Sequence, residues 1–298
     1  ESPSEWRTRY GEGSDNPRPL FTARGPNDQI QPITITPSIM KHPIGGYPGF
    51  MVLFGTGRYL NTGDLDSTEV QTIYGVWDYG DADDEYLGTF QRGAASKLSE
   101  QPDTVSLLQQ TQVSYENGFR VLSKNPIKWL TEPDDVDGQL PDPSSVAENH
   151  AGWYFDLHLA DTDYKERVIQ TGQIRQGQYL IITSIPNRSP CAEGGDSIVH
   201  LMNAATGGRL ATAQFDIDRD MAITAGDLIE IDNPDDDPNQ PKIMVAATGI
   251  HFKSILHSPA ILPMNETMEK MYLSGGRRNI KYLPKKREQL GMYYWIER

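Results

Sequence analysis

Gln31-Pro32-Ile33-Thr34-Ile35-Thr36-Pro37-Ser38-Ile39-Met40 has a counterpart near the other end of the chain, Lys253-Ser254-Ile255-Leu256-His257-Ser258-Pro259-Ala260-Ile261-Leu262. Both close on a hydroxyl residue, Pro, a small residue and two aliphatics. A strand-bearing unit that recurs in this way suggests radially arranged blades. In each copy the Pro is expected at the start of an inner strand, where its missing N–H donor costs least.

Outward from these segments, short apolar stretches recur between clusters of Gly, Pro, Asn and Asp: Phe50–Phe54, Val70–Trp77, Gly152–Leu159, Tyr179–Ile185, Ile198–Met202, Ile243–Ala247 and Ile255–Leu262. Many alternate or are β-branched, and few regions carry a 3.6-residue period. The expected fold is therefore all-β, a β-propeller with long loops and a few short helices. Helical turns are expected at Pro143–His150, Asn265–Tyr272 and Thr224–Ile229. Gly55-Thr56-Gly57 reads as a hairpin and not as a phosphate cradle, because Arg58 stands where a phosphate loop would continue with Gly. The run Leu201-Met202-Asn203-Ala204-Ala205-Thr206-Gly207-Gly208-Arg209-Leu210 is similar to the strand, Ala-x-Thr-Gly turn, strand element of quinoprotein-type propeller blades.

The chemistry is concentrated in Asp216-Ile217-Asp218-Arg219-Asp220-Met221-Ala222-Ile223-Thr224-Ala225-Gly226-Asp227. Oxygen-bearing side chains fall at positions 1, 3, 5, 9 and 12 of this twelve-residue loop, the spacing of an EF-hand or dockerin-like calcium site. A hard divalent cation takes six to eight oxygens at about 2.3–2.6 Å, and alternate residues of a tight loop can converge on one centre. Asp216, Asp218 and Asp220 would supply carboxylates, Ala222 its carbonyl, Thr224 a direct or water-mediated contact and Asp227 the closing oxygen, with Ile223 pointing inward as an anchor. Two positions depart from the EF-hand pattern: Met221 stands where Gly would allow φ > 0, and position 12 is Asp and not Glu. From Asp216 to Asp237 there are nine acids against the single base Arg219, a local charge of −8 that repels itself unless solvated or neutralised. Asp235-Asp236-Asp237, between Pro234 and Pro238, reads as a solvated turn, and the cluster at Asp78, Asp81, Asp83, Asp84 and Glu85 lacks ligand spacing.

With 298 residues the chain can bury a large core, and its aromatic content, including 14 Tyr and 5 Trp, sets it apart from a disordered chain despite 37% hydrophobic residues. A formal charge of −14 argues against a nucleic-acid partner, which would need a basic footprint. The exception is Arg277–Arg298, with seven bases against Glu288 and Glu297. It is expected to pack as a closing strand against the acidic remainder, anchored by Tyr282, Tyr293, Tyr294 and Trp295. No stretch approaches the roughly 18–20 apolar residues of a membrane span, so a soluble chain is expected. A charged-then-apolar leader is also lacking, which suits a chain whose signal has been removed or an internal fragment. Cys191 has no internal partner with which to form a disulfide.

Taken together, Gln31–Thr34, Val52-Leu53-Phe54-Gly55-Thr56-Gly57-Arg58-Tyr59-Leu60 and Gln71-Thr72-Ile73-Tyr74-Gly75-Val76-Trp77-Asp78 resemble the C-terminal propeller of the PilC/PilY family of type IV pilus tip-associated adhesins. The later landmarks follow in the order that this resemblance implies: Gly152–Leu157, Glu166–Ile169, Thr183–Pro186, Pro190-Cys191 with Gly194-Gly195, and Ser258–Ile261. The resemblance covers most of residues 30–298. It implies a modified quinoprotein-like propeller of which residues 1–298 are the C-terminal part, with the rest of the same propeller upstream. It further implies a pilus-tip or extracellular location reached by export through the periplasm and outer membrane. By this resemblance Asp216, Asp218, Asp220 and Asp227 would fall on the family's metal loop, where Ca2+ is implied to regulate pilus extension against retraction. Roles in pilus biogenesis, twitching motility and surface adhesion are implied, with minor pilins at the pilus tip and a host or abiotic surface as partners. The resemblance also leaves room for a partner of Cys191 in the missing portion.

No nucleophile elbow, P-loop, Cys-x-x-Cys or His-x-x-x-His is present, and the chain is not expected to be an enzyme. Two other readings share the architecture. A quinoprotein dehydrogenase would characteristically use a vicinal Cys-Cys disulfide, which a single cysteine cannot form. A carbohydrate-binding propeller would expose aromatics such as Trp153 or Tyr154 for stacking on sugars, whereas Trp in a strand is more often core. His251 and His257 could share a face, but a pair without a third ligand is more often structural.

Overall fold

The computed structural model describes residues 19–78, 89–92, 104–129, 150–157, 165–187, 194–235, 237–276 and 280–287. The first sheet runs in the order β1 (Ser38–Lys41), β2 (Phe50–Gly55), β3 (Thr72–Asp78), β8 (His150–Asp156), β5 (Thr104–Gln110) and β4 (Thr89–Arg92). Its first four strands are antiparallel, while β5 joins β8, and β4 joins β5, in parallel. The second sheet orders β10 (Gln173–Arg175), β11 (Gln178–Pro186), β12 (Gly195–Asn203), β15 (Gly249–Phe252), β7 (Phe119–Leu122) and β6 (Gln112–Glu116), with β9 (Arg167–Val168) paired to β11. A hairpin of β13 (Leu228–Asp232) and β14 (Lys242–Ala246) follows the acidic loop. A third sheet consists of β16 (Ala260–Pro263), β17 (Met268–Ser274) and β18 (Ile280–Lys286).

The two-residue alternation of strand side chains decides how these sheets stack. Met51 and Leu53 of β2, Ile73 and Trp77 of β3, and Trp153 and Phe155 of β8 point one way and pack with Tyr179 and Ile181 of β11 and Met202 of β12. The intervening residues Leu180, Ile182, Val199 and Leu201 point the other way, against Met271, Leu273 and Leu283 of the third sheet. The outer face of the first sheet, with Phe54, Tyr74, Val76 and Tyr154, is covered by Leu20, Phe21 and Ala23. Thus β11 is buried along its whole length, because sheets lie on both of its faces. Such strands read as continuous apolar runs instead of alternating ones.

Trp153 shows how closely the layers meet. Its indole lies fully buried over Gly75, where a Cβ would come within 2.4 Å of the ring, and beside Gly207, whose φ of 69° suits only a residue without a side chain to clash. Its Nε1 donates to the Ala204 carbonyl at 3.1 Å. Trp153 and Tyr154 are both inside the core, so neither can stack on a sugar at the surface.

A buried ionic network ties the second sheet together. Arg120 of β7 donates to both carboxylate oxygens of Glu166 at 2.8 Å and to Gln112 Oε1 of β6 at 2.9 Å, while Thr183 of β11 donates to Glu166 Oε1. Arg120 and Glu166 have no exposed side-chain surface. Burial opposes ionisation of Glu166, but Arg120 outweighs it and holds the carboxyl below its usual range. Arg120 Nη1 also lies 2.9 Å from His200 Nε2. Arg offers only donors, so this nitrogen is an acceptor and the ring is neutral.

The repeated segments take equivalent places. Pro37 directly precedes β1 and Pro259 directly precedes β16, and each of those strands opens a sheet at its edge, where a missing N–H interrupts no ladder. Other expectations are corrected. Met268–Tyr272, read as part of a helix, is strand in β17, because pairing with β16 and β18 outweighs the local pattern. His150 opens β8, and the rest of the Pro143–His150 candidate lies outside the described residues. Gly55–Gly57 is not a tight hairpin. β2 and β3 do pair, but residues 56–71 between them carry a 3₁₀ helix at Thr62–Asp66 capped by Asn61. After Asn203 a turn forms with Gly207 N on Asn203 O, yet no second strand follows, since Arg209 N bonds Ser123 O instead. Ile280–Lys286 is the expected closing strand, but Tyr282 is 61% exposed and is no core anchor. Tyr293, Tyr294, Trp295 and Cys191, and the acids Asp81, Asp83, Asp84 and Glu85, lie outside the described residues.

The His200 environment generates a pH prediction. Burial first, and then the Arg120 charge, push its pKa down to about 3. The unfolded chain takes up this proton near the ordinary value of 6.5, so the neutral ring's contribution is complete above that pH and is lost as pH falls toward 3. Between about pH 7 and pH 5 this one group should lower the unfolding free energy by about 2 kcal/mol. Denaturant titrations of wild type and His200→Gln check it: the variant should show a pH slope shallower by that amount, and identical slopes would refute the assignment.

Candidate metal centre

The acidic loop is built between two fixed points. Before it, Asp216 N donates to Pro284 O at 3.2 Å and Phe215 is buried in the core; after it, Ala225–Asp227 forms a 3₁₀ turn leading into β13. Thr224 and Asp227 make a reciprocal cap. The Thr224 hydroxyl accepts from Gly226 N at 3.0 Å, and Asp227 Oδ2 accepts from Thr224 N at 2.8 Å. Asp227 Oδ1 reaches across the loop to Ile217 N at 2.7 Å. The loop ends are thereby clasped by the same carboxylate.

This clasp brings Asp216, Asp218 and Asp227 together, with a carboxylate oxygen of each lying within 4.8 Å of the others. Asp216 and Asp227 are buried and Asp218 is exposed. Asp220 does not join the three. It is exposed, and its Oδ1 accepts from Ala222 N at 2.8 Å, as Asp218 Oδ1 accepts from Asp220 N at 3.1 Å. Of the other expected ligands, Thr224 is engaged as the cap and Ala222 is half-buried, as is Ile223. Gly226 was not legible as part of the site, although a Cβ there would come within 2.8 Å of Asp218 Oδ2. Its only sequence signal is the Thr-x-Gly-Asp cap that holds it.

The absence of Gly at position 6 does not prevent the turn. Met221 itself takes φ 69°, and Arg219 takes 65°. Both are left-handed conformations that cost non-glycine residues free energy, of order 1–3 kcal/mol each, and persist where the surroundings over-determine them. Here the Met221 N–H donates to Asp216 Oδ2 at 3.2 Å.

The donor set fits a hard cation on two observations. Asp216 Oδ1 is buried and has no hydrogen-bond partner among the described residues, although buried polar atoms are normally paired. The Asp216 carboxyl is also pushed up, first by burial and then by Asp227 and Asp220, against the lowering effect of the Arg219 and Met221 N–H groups. A cation would relieve both. Asp237 behaves as the sequence suggests, accepting from Asn239 N at 2.8 Å in a turn between β13 and β14. His251 is structural, held between Tyr115 Oη at 2.6 Å and Asp196 Oδ2 at 2.9 Å.

Comparison with known proteins places this architecture. A sequence model of the PilY1 beta-propeller domain matches residues 3–114. The type IV pilus biogenesis factor PilY1 of Pseudomonas aeruginosa strain PAK is 32% identical over 206 residues, covering 68% of this chain and 16% of the relative. A PilY1 homolog of Xylella fastidiosa strain Temecula1 is 30% identical over 210 residues, covering 70% of this chain and 12% of the relative. The chain thus spans about a sixth or less of these relatives' length. The crystal structure of the P. aeruginosa PilY1 C-terminal domain superimposes with a TM-score of 0.62 at 23% identity, over 90% of this chain and 48% of that one. The stacked sheets are accordingly those of a β-propeller, and the chain belongs to the PilY1 family of type IV pilus biogenesis factors.

Proposed function

We propose that this chain is the calcium-binding part of a type IV pilus-associated propeller, acting in pilus extension against retraction, twitching motility and surface adhesion. The convergence of Asp216, Asp218 and Asp227 around an unpartnered buried oxygen carries this reading. When bound, Ca2+ would supply charge neutralisation and a fixed loop shape. Asp216, Asp218 and Asp227 would hold it, with Asp220, the Ala222 carbonyl and Thr224 as further oxygens. Residues 1–298 would form part of one propeller completed by the rest of the same protein. Minor pilins at the tip and a host or abiotic surface would be the partners, reached by export through the periplasm and outer membrane. No helix among the described residues is long and apolar enough to cross a membrane.

Calorimetric titration of chelator-treated protein should show calcium binding that Asp218→Ala abolishes. Asp220→Ala should weaken it less, by roughly tenfold, since ligand charge count tunes affinity over decades and this carboxylate stands outside the cluster. Magnesium should compete poorly, because it demands tighter octahedral geometry. Unaltered titration of Asp218→Ala would sink the metal assignment.

In cells, Asp218→Ala combined with Asp220→Ala should change surface piliation or twitching while the protein remains folded and exported. The propeller draws its stability from stacked sheets, and the loop is one local element that can loosen separately. Wild-type motility in the double variant would make the metal dispensable, and global unfolding would make it structural.

The propeller should act without catalysis. Purified protein given pyrroloquinoline quinone and calcium should show no alcohol-dependent dye reduction above a no-protein blank. Sustained turnover would favour the dehydrogenase reading.

A further inference from the structure

A cavity of about 540 Å³ opens beside the acidic loop, between the end of β15 and the outer edge of β18. Its shape follows from the path of the chain. Residues 214–216 run antiparallel to β18, with Lys286 N donating to Gln214 O and Asp216 N donating to Pro284 O. At Ile217 the chain turns away into the acidic loop. Strand alternation therefore aims the N–H and C=O groups of Tyr282 and Ile280 outward on the same side as Pro284 O, toward the space that the chain has left. No strand among the described residues pairs with them there. Their side chains are 61% and 70% exposed, an apolar edge of the kind that natural sheets usually cover or charge.

Among the residues that line this cavity, cations outnumber carboxylates. Arg219, Lys253 and Lys281 line it, and Asp216 is the one carboxylate among its lining residues, whereas the whole chain carries −14. Arg219 and Lys253 make no ion pair among the described residues, and Lys281 Nζ rests 5.8 Å from the centre of the Phe252 ring. A strand edge left unpaired among the described residues, the exposed apolar side chains along it and these three cations together specify their complement.

We infer that the outer edge of β18 is a docking site for an extended, acidic segment of a partner protein, added as a strand at Ile280 and Tyr282 with its carboxylates on Arg219, Lys253 and Lys281. Main-chain hydrogen bonds would supply affinity and the cations would select acidic sequences. This site does not depend on the calcium reading, and calcium is held constant in its test.

The probe is a fluorescein-labelled peptide of about eight residues alternating valine and glutamate, a generic acidic strand. Fluorescence anisotropy with the full chain should show saturable binding, weakened roughly tenfold by Lys253→Glu with Lys281→Glu, as reversal of interfacial charge predicts. Tyr282→Pro should remove binding while leaving the melting temperature near wild type, since Pro is tolerated where its N–H would face outward on an edge. A valine-lysine peptide and a peptide N-methylated along one edge should both fail. Absence of saturable binding, equal binding of the N-methylated peptide, or indifference to both variants would each overturn the site. So would self-association of the chain lost in Lys281→Glu, which would make a second copy the occupant.

Discussion

Burial of β11 and β12 on both faces is the constraint on which the rest of the structure depends. Each strand sends alternate side chains into two different cores, Tyr179 and Ile181 into one and Leu180 and Ile182 into the other, so neither neighbouring sheet can be removed without exposing an apolar face. A sheet with one face in water would need polar residues at every second position. Here the second sheet needs both neighbours, and propeller blades stacked in series answer that need.

Doubly buried strands leave few places for polar groups, and those present are handled in two ways. In the second sheet Arg120, Glu166, Gln112 and Thr183 satisfy one another, in a pair whose disruption would strand a charge in the interior. In the acidic loop the polar groups sit at the margin, where backbone N–H groups satisfy most carboxylate oxygens but leave Asp216 Oδ1 without a partner among the described residues. The first arrangement is closed and fixes the fold. The second is open, and that open oxygen is the observation behind the proposed cation.

The loop, β15 and β18 also share a location. Asp216 is at once the end of the short ladder on β18, the first carboxylate of the cluster and part of the cavity lining. Whatever holds Asp216 therefore sets where the β18 edge becomes available. The left-handed backbone at Arg219 and Met221 belongs to the same turn, which carries the chain away from that edge.

The all-β class, most strands, the blade repeat and the twelve-residue acidic loop were legible in the sequence, because each is a local periodicity or spacing that adjoining residues express by themselves. Spacing alone singled out Asp216, Asp218 and Asp227 as carboxylates able to converge, and the fold brings an oxygen of each together. Tertiary structure alone decided that Asp220 stands apart from them, that Met221 takes the conformation usually left to Gly, that residues 268–272 pair as strand, and that Tyr282 faces outward. It also decided that Arg120, Glu166 and His200, scattered along the chain, meet in one buried network. These outcomes rest on which segments become neighbours in space. Spacing along a chain determines which groups can converge, but burial, ladder pairing and the field of distant charges determine which of them do.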